Sequence, residues 1–406
     1  MVRVLATVYS ANPSAQSEPL NGYKYIRELR RVVDLKVIAH ARDKADLSEA
    51  PFAGDIYYAG SARLADSLRA VTRPLFKESW HLISAFDFLD YITFEISALR
   101  LAKRLHRQFR FDIAHRITPT TIRFPSMLAR LGIPTVSGPH NGGMTWPAGF
   151  EHLAREEGTV DSIRGVGNAL HTAAGDFARY AKILVANERC GAVVPQRYHS
   201  KVVEVPVNGV DEVLAQAPRA GDATKLVFIG RLVAFKCVDV LLRALVRLPE
   251  NVTLTIVGSG PQQAKLDGLS KKLGVYRRVT FAGWVPQKDT YRFLQDAGVF
   301  VFPSVRESGG ATVLDAMACG LPVIVAAWGG PLQFVGREGG VALSVDSPKA
   351  LEDGLVAAVE RFLADPASGR DLGLRAQERI REQFLWPRKA ERLLEIYRDV
   401  LDGRTN

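Results

Sequence analysis

Residues 303–310 read Pro-Ser-Val-Arg-Glu-Ser-Gly-Gly, and a second acid, Asp315, follows Glu307 by eight positions. Glycines let backbone approach a ligand closely or take a positive φ. A helix beginning just after Gly310 presents unpaired N–H groups and the positive end of its dipole, a natural seat for phosphate. Carboxylates repel phosphate, so Glu307 and Asp315 suit sugar hydroxyls, as hydrogen-bond acceptors at opposite ends of an extended anionic ligand. The alternative is a solvated loop glutamate and a solvated helix aspartate.

A second group lies upstream, where Arg231 and Lys236 stand five positions apart behind Gly230. A bidentate guanidinium and a flexible ammonium one loop apart can neutralise two phosphates, although such a pair is also ordinary surface charge. Among the eight histidines, His140 lies in Pro139-His140-Asn141-Gly142-Gly143 and His115 closes a short apolar run. Imidazole exchanges protons near neutrality and bonds hydroxyls, so each fits a sugar or acceptor site. A structural or surface role is the alternative for both.

The elements that carry these groups alternate between strand and helix. Residues 299–302 are a buried strand, 311–318 a helix stopped by Gly320 and Pro322, and 321–326 a strand again. Around Arg231 the chain predicts a strand at 225–229, a strand at 253–258, a helix at 262–273, a strand at 279–282 and a helix at 289–295. A strand at 340–343 and helices at 347–365, 367–383 and 386–401 complete this half. The first half predicts strands at 2–8, 35–39, 55–58, 111–115, 134–138, 183–186 and 202–205. It also predicts helices at 23–33 and 120–131, with Asn21-Gly22 as a turn and His115 at a strand's C-terminal edge. Such alternation argues for an α/β chain with parallel sheets covered on both faces, and 214–224, rich in Ala, Gly and Pro, reads as a linker.

Composition is that of a globular chain. Its 406 residues are 47% hydrophobic and 24% charged, enough for two well-filled domains. Cys190, Cys237 and Cys319 lie far apart without metal-ligand spacing, which suits free thiols in a reducing compartment. Residues 1–8 read as a first strand rather than a signal segment, and no apolar run is long enough to span a membrane.

The net charge is +10, and most of the basic excess falls in residues 1–200. Between 96 and 130 stand Arg100, Lys103, Arg104, Arg107, Arg110, Arg116, Arg123 and Arg130 against one acid, Asp112. Trp80, Phe86, Phe88, Tyr91 and Phe94 precede them. Core aromatics with a solvated basic face are one reading, and a patch for anionic membrane is another. Nucleic acid is disfavoured, because no recognised nucleic-acid module accompanies the charges.

Residues 303–330 resemble the E-x7-E signature of retaining, nucleotide-sugar-dependent glycosyltransferases of the GT-B fold, family 4. The matching residues are Pro303, Ser304, Glu307, Gly309, Gly310, Leu314, Ala316, Met317, Ala318, Gly320, Pro322, Val323, Ile324, Gly329 and Gly330. Asp315 stands where that family has its second glutamate, Gln333 where it has a later one, and Cys237 where glycine follows the lysine. Residues 206–211 resemble the family's P-N-G-V-D junction with one residue inserted.

The resemblance implies two Rossmann-like domains facing across a deep cleft: 1–205 for the acceptor, 206–385 for the nucleotide-sugar, and a terminal helix over 386–406 crossing back to the first. It implies that Gly230, Arg231, Lys236, Ser308, Gly309 and Gly310 surround the donor diphosphate. Glu307 then holds the sugar, Asp315 the ribose, and Trp284 with Val285 the base. His140, with His115 and Gly22, falls on the sugar or acceptor side.

The implied activity is hexosyl transfer to an acceptor hydroxyl with retention, without cofactor or metal. The acceptor is a glycan, a lipid-linked molecule or a small molecule. The setting is cell-surface polysaccharide or glycolipid assembly, in the cytoplasm or at the inner face of the cell membrane. A sugar-nucleotide epimerase of the same fold and a catalytically inactive nucleotide-sugar scaffold are the rival readings.

Overall fold

The computed structural model describes residues 1–61, 80–122, 124–156, 175–213 and 222–403. Residues 214–221 of the expected linker, residues 62–79 of the aromatic stretch, Arg123 and the side chains of Trp80 and Phe86 lie outside the described residues. The chain divides into two units. The first comprises Met1–Gly143, Asp161–Val207 and Trp386–Asn406, and the second Met144–Val160 with Asn208–Leu385.

Among the described residues the first unit holds a seven-stranded sheet: β1 Arg3–Val8, β2 Asp34–His40, β3 Ile56–Ala59, β4 Ile113–Thr118, β5 Thr135–His140, β6 Lys182–Val185 and β7 Val202–Glu204. Their spatial order is β3-β2-β1-β4-β5-β6-β7, and every pairing is parallel. Such a sheet must be covered on both faces. Strand alternation divides the cover: Val4, Ala6 and Val8 of β1 enter a core with Tyr25, Ile26 and Leu29, whereas Leu5 meets Tyr91, Phe94, Ala98 and Ala102. Those last four lie on the long helix Trp80–Phe109. Trp386, Ala390, Leu393, Ile396 and Tyr397 of the final helix, Trp386–Leu401, belong to the β1 core. The Trp386 ring meets Tyr25 edge-on at 4.9 Å.

In the second unit the described strands are β8 Lys225–Ile229, β9 Thr253–Val257, β10 Val279–Gly283, β11 Val299–Phe302, β12 Val323–Ala326 and β13 Val341–Leu343. All are parallel in the order β10-β9-β8-β11-β12-β13, so the winding reverses between β8 and β11. Open α/β sheets bind ligands outside the carboxyl ends of their strands at such a reversal. The loops after β8 and β11 carry Arg231 with Lys236 and Glu307 with Gly310.

Three sequence expectations fail in the first unit. The first helix runs Glu18–Leu29 with Pro19 at its start, so Asn21-Gly22 is helix and not a turn. Strand β4 continues to Thr118, which buries His115 mid-strand instead of exposing it at an edge. Among the described residues of 120–131 no α-helix forms: Pro125 has no N–H to give, and the Ser126 and Met127 N–H groups are taken by Asp176 and Glu95. A short 3-10 turn, Leu128–Leu131, is what remains. The segment 144–156, placed by sequence in the first domain, joins the second unit through Phe150 and Leu153, which are buried in its core.

Candidate functional site

Beyond β11 the chain turns at Pro303 and Ser304 and reaches Glu307, whose side chain is 19% exposed. One carboxylate oxygen meets the Lys236 ammonium. The other accepts the Gly310 N–H at 3.1 Å. Gly310 has φ +70 and caps the helix Ala311–Ala318, anchored by buried Val313, Leu314 and Met317. Lys236 lies 4.5 Å from the Phe302 ring centroid, so its charge rests against both an aromatic face and a carboxylate. A carboxylate and an ammonium thus converge on the positive end of a helix dipole.

Glycines hold this loop by permitting close approach. Gly330 donates to the Glu307 carbonyl at 2.8 Å, and a Cβ on Gly329 would lie 2.2 Å from that oxygen. A Cβ on Gly309 would lie 2.7 Å from the Asn208 amide nitrogen, so the junction after Pro206 reaches the loop as well. The Gly258-Ser259-Gly260 turn has the same task behind Arg231. Leu232 N–H donates to Ser259 at 3.0 Å, and a Cβ on Gly258 would lie 2.0 Å from the Gly230 carbonyl. Cys237, where the resembling family has glycine, takes φ +50 and begins the next helix, Val238–Arg247.

Arg231 is exposed, and its side chain makes no hydrogen bond or ion pair among the described residues. Asp315 is half-buried on the helix after Gly310. Trp284 is 64% exposed and Val285 half-buried, just after β10. All of these lie on loops or helices following strands of one sheet, and direct contacts join Lys236, Glu307 and Gly310.

The segment after Gly143 was missed. Arg306 lies 4.7 Å from the centroid of the Trp146 ring, and Trp328 Nε1 donates to the Thr145 carbonyl at 3.2 Å. The Trp146 indole N–H is buried without a partner among the described residues. Met144 and Trp146, two large apolar side chains following two glycines, were the available signal, but the segment's partners lie 160 or more positions on, beyond any local pattern.

In the first unit His140 ends β5 and is 1% exposed. Its Nε2 lies 2.9 Å from the Ser137 hydroxyl, and Arg116 Nη1 lies 3.3 Å from Nδ1. Arg116 is fully buried, and its Nε finds no partner among the described residues. Nearby, burial raises the Glu95 carboxyl and pushes that of Asp176 up to about 6.

The structure gives His115 another occupation. Nε2 lies 2.7 Å from the Gly138 carbonyl and Nδ1 2.6 Å from the Tyr397 hydroxyl, so the neutral ring donates to the first and accepts from the second. Burial lowers its pKa to about 4. It ties the final helix to the sheet and has no face for substrate. Gly22 is likewise a packing residue, since a Cβ there would lie 2.2 Å from the Ser10 carbonyl.

Among the described residues no three His, Cys, Asp or Glu side chains are grouped to hold a metal ion. Nor is any described helix long and apolar enough to cross a membrane.

A profile of the family described as glycosyl transferases group 1 matches residues 210–379. The lipopolysaccharide core biosynthesis glycosyltransferase LpsE of Rhizobium meliloti is 36% identical over 178 residues, 44% of this chain and 50% of that protein. The D-inositol 3-phosphate glycosyltransferase of Corynebacterium diphtheriae is 33% identical over 185 residues, 43% of this chain and 42% of its own. The chain thus spans about half the length of the curated relatives it matches. Among solved structures, Anabaena HepE in complex with UDP aligns over 98% of this chain and 100% of its own, with TM-score 0.65 and 14% identity. WaaG, a glycosyltransferase involved in lipopolysaccharide biosynthesis, aligns over 97% and 99%, with TM-score 0.58 and 17% identity. The fold is therefore a two-domain, Rossmann-like GT-B fold.

Proposed function

We propose that the protein is a family 4 glycosyltransferase that moves a hexose-type sugar from a nucleotide diphospho-sugar to an acceptor hydroxyl with retention of configuration. The observation that carries this reading is the convergence of Lys236, Glu307 and the Gly310 N–H at one helix N-terminus, within the segment that matches glycosyl transferases group 1. Charge builds on the leaving diphosphate as the anomeric C–O bond breaks, and preorganised donors facing that charge are the dominant catalytic term in such sites. Arg231, Lys236 and the N–H groups of Gly309 and Gly310 take that role. The diphosphate draws Lys236 away from Glu307, and the released carboxylate then holds sugar hydroxyls. Asp315 binds the ribose, Trp284 and Val285 the base, and His140 the sugar or acceptor. No metal is invoked, because Arg231 and Lys236 supply the positive charge a cation would bring.

The acceptor we infer belongs to cell-surface glycan or glycolipid assembly, the setting in which the Rhizobium relative and WaaG act. Arg100, Lys103, Arg104, Arg107 and Arg110 are exposed at one end of the helix Trp80–Phe109 and its exit. Such a row draws anionic lipid at about 1 kcal/mol per charge near the surface, which suits peripheral contact at the cytoplasmic face of a membrane.

The test is a thermal-shift panel of UDP, GDP, ADP and their hexose conjugates, with Arg231→Ala alongside. UDP leads the panel because HepE was solved with it. A ligand at a hundredfold excess over its Kd stabilises the native state by about 2.7 kcal/mol. A shift in wild type and none in the variant supports the reading. Silence across the panel sinks it. Nucleotide released without acceptor, with the sugar inverted at one carbon, would indicate an epimerase.

A further inference from the structure

We propose that the second unit carries a separate site for an organic phosphate monoester, beside the Arg231–Lys236 loop. A cavity of about 380 Å³ lies there between the helices Val238–Arg247 and Gln263–Lys272, with His152 and Leu153 at its edge. It contains none of the residues assigned above to the nucleotide-sugar. Its volume falls in the range of small-molecule sites, roughly 300–1,000 Å³, and far exceeds what a single water needs.

The lining separates into two chemistries. Leu153, Val238, Leu266 and Leu269 give an apolar floor. Arg243, Lys265, Lys272 and His152 give a basic rim. Among the described lining residues Asp239 is the one acid, and it sits 3.8 Å from Arg243 Nε. The described lining thus carries more cationic than anionic side chains, and the first turn of the helix Val238–Arg247, which no side chain caps, adds the positive end of its dipole. The rim selects an anion, and the floor selects an anion bearing an apolar body. A phosphate carrying one ring or short chain meets both demands, whereas bare phosphate leaves the leucines unused.

Val233 and Ala234 form one wall, and they are two of the four residues between Arg231 and Lys236. A ligand resting on them bears on the loop that positions both cations. Any change it makes in nucleotide affinity must be matched by an equal change in its own affinity when nucleotide is bound.

Isothermal titration of the full chain with phenyl phosphate and, separately, with inorganic phosphate tests the proposal. Wild type should bind phenyl phosphate about tenfold more tightly than inorganic phosphate, the difference coming from the buried ring. The double variant Arg243→Ala, Lys272→Ala should lose about tenfold or more, and Arg231→Ala should bind as wild type. Both altered side chains of the double variant are exposed, and circular dichroism verifies that it folds. Leu269→Gln should remove the preference for phenyl phosphate and leave inorganic phosphate unaffected. Failure of wild type to bind, or loss of binding in Arg231→Ala with none in the double variant, would overturn it. The second result would assign the phosphate to the nucleotide site. The test does not depend on glycosyl transfer, so either reading can fail alone.

Discussion

In the second unit Glu307, Gly310 and Lys236 meet in loops that follow two adjacent strands, β8 and β11, and glycine contacts fix their geometry. In the first unit His140 meets Arg116 from the neighbouring strand, while Glu95, Asp176 and Tyr397 arrive from helices remote in sequence. The first arrangement is built from backbone: N–H groups, positive φ and carbonyls that tolerate no Cβ. The second is built from side chains enclosed in a core. Backbone sites can be altered at one side chain with the scaffold intact, whereas enclosed networks couple function to stability.

Glu307→Ala gives the largest contrast. Turnover should fall by about 10²–10³-fold, or roughly 3–4 kcal/mol of barrier, with a cooperative melt retained. His140→Ala should instead lower the melting temperature together with activity, because Arg116 and Ser137 lose a buried partner. Nucleotide release with acceptor and calorimetry measure both. An unchanged rate in Glu307→Ala refutes the site, and a purely kinetic effect in His140→Ala erases the contrast.

Gly258→Ala and Gly22→Ala form the next pair. Each places a Cβ within 2.2 Å of a carbonyl oxygen, at Gly230 and Ser10 respectively, and should cost about 2–4 kcal/mol. Gly258→Ala should also weaken nucleotide binding, since it displaces the loop of Arg231. Gly22→Ala should leave nucleotide affinity alone. Equal losses of affinity in both would show that the units do not divide the work.

Lys389 supplies a pH test in the first unit. It is buried beside the rings of Tyr25 and Trp386 and donates to the Pro206 carbonyl. Burial lowers its pKa from 10.5 to about 7. Between these values the unfolded chain holds the extra proton, so the group's contribution to stability rises with pH across the window and is lost as pH falls to 7. Wild type should gain about 2 kcal/mol on Lys389→Met between pH 7 and pH 9 in denaturant titrations. Parallel curves would remove the assignment.

The smallest effect concerns Cys237. Valine there should cost about 1–2 kcal/mol, because a β-branched side chain fits φ +50 poorly, and glycine should melt within a few degrees of wild type. A neutral Cys237→Val would mean that the loop has slack.

The same division decides what could be read from sequence. The boundaries of β8, the helix Ala311–Ala318 and the final helix coincide with their apolar runs and punctuation. The Glu307 loop was legible because its glycines, acid and helix start lie within ten residues. The role of Gly258 and Gly260 was not, since the carbonyls they approach lie about 28 positions away. In the first unit, Asn21-Gly22 carried a turn signal that Pro19 and the Ser10 contact overrode, and His115 offered a titratable ring whose partners were invisible. Arg116 was counted as surface charge, and nothing in its neighbours announced that it would be one of the largest side chains fully buried among the described residues.

The closing helix has a consequence for the order in which the chain is made. Trp386, Leu393 and Tyr397 belong to the core of a unit whose first strand is Arg3–Val8. Synthesis runs from the amino end, and domains fold as their residues become available. The unit begun first therefore cannot close its core until the ribosome has released Leu401, after every residue of the second unit. Through that interval the β1 face and Val205 lack their cover, and a ribosome stalled at Leu385 would hold a second unit with all its residues and an open first one.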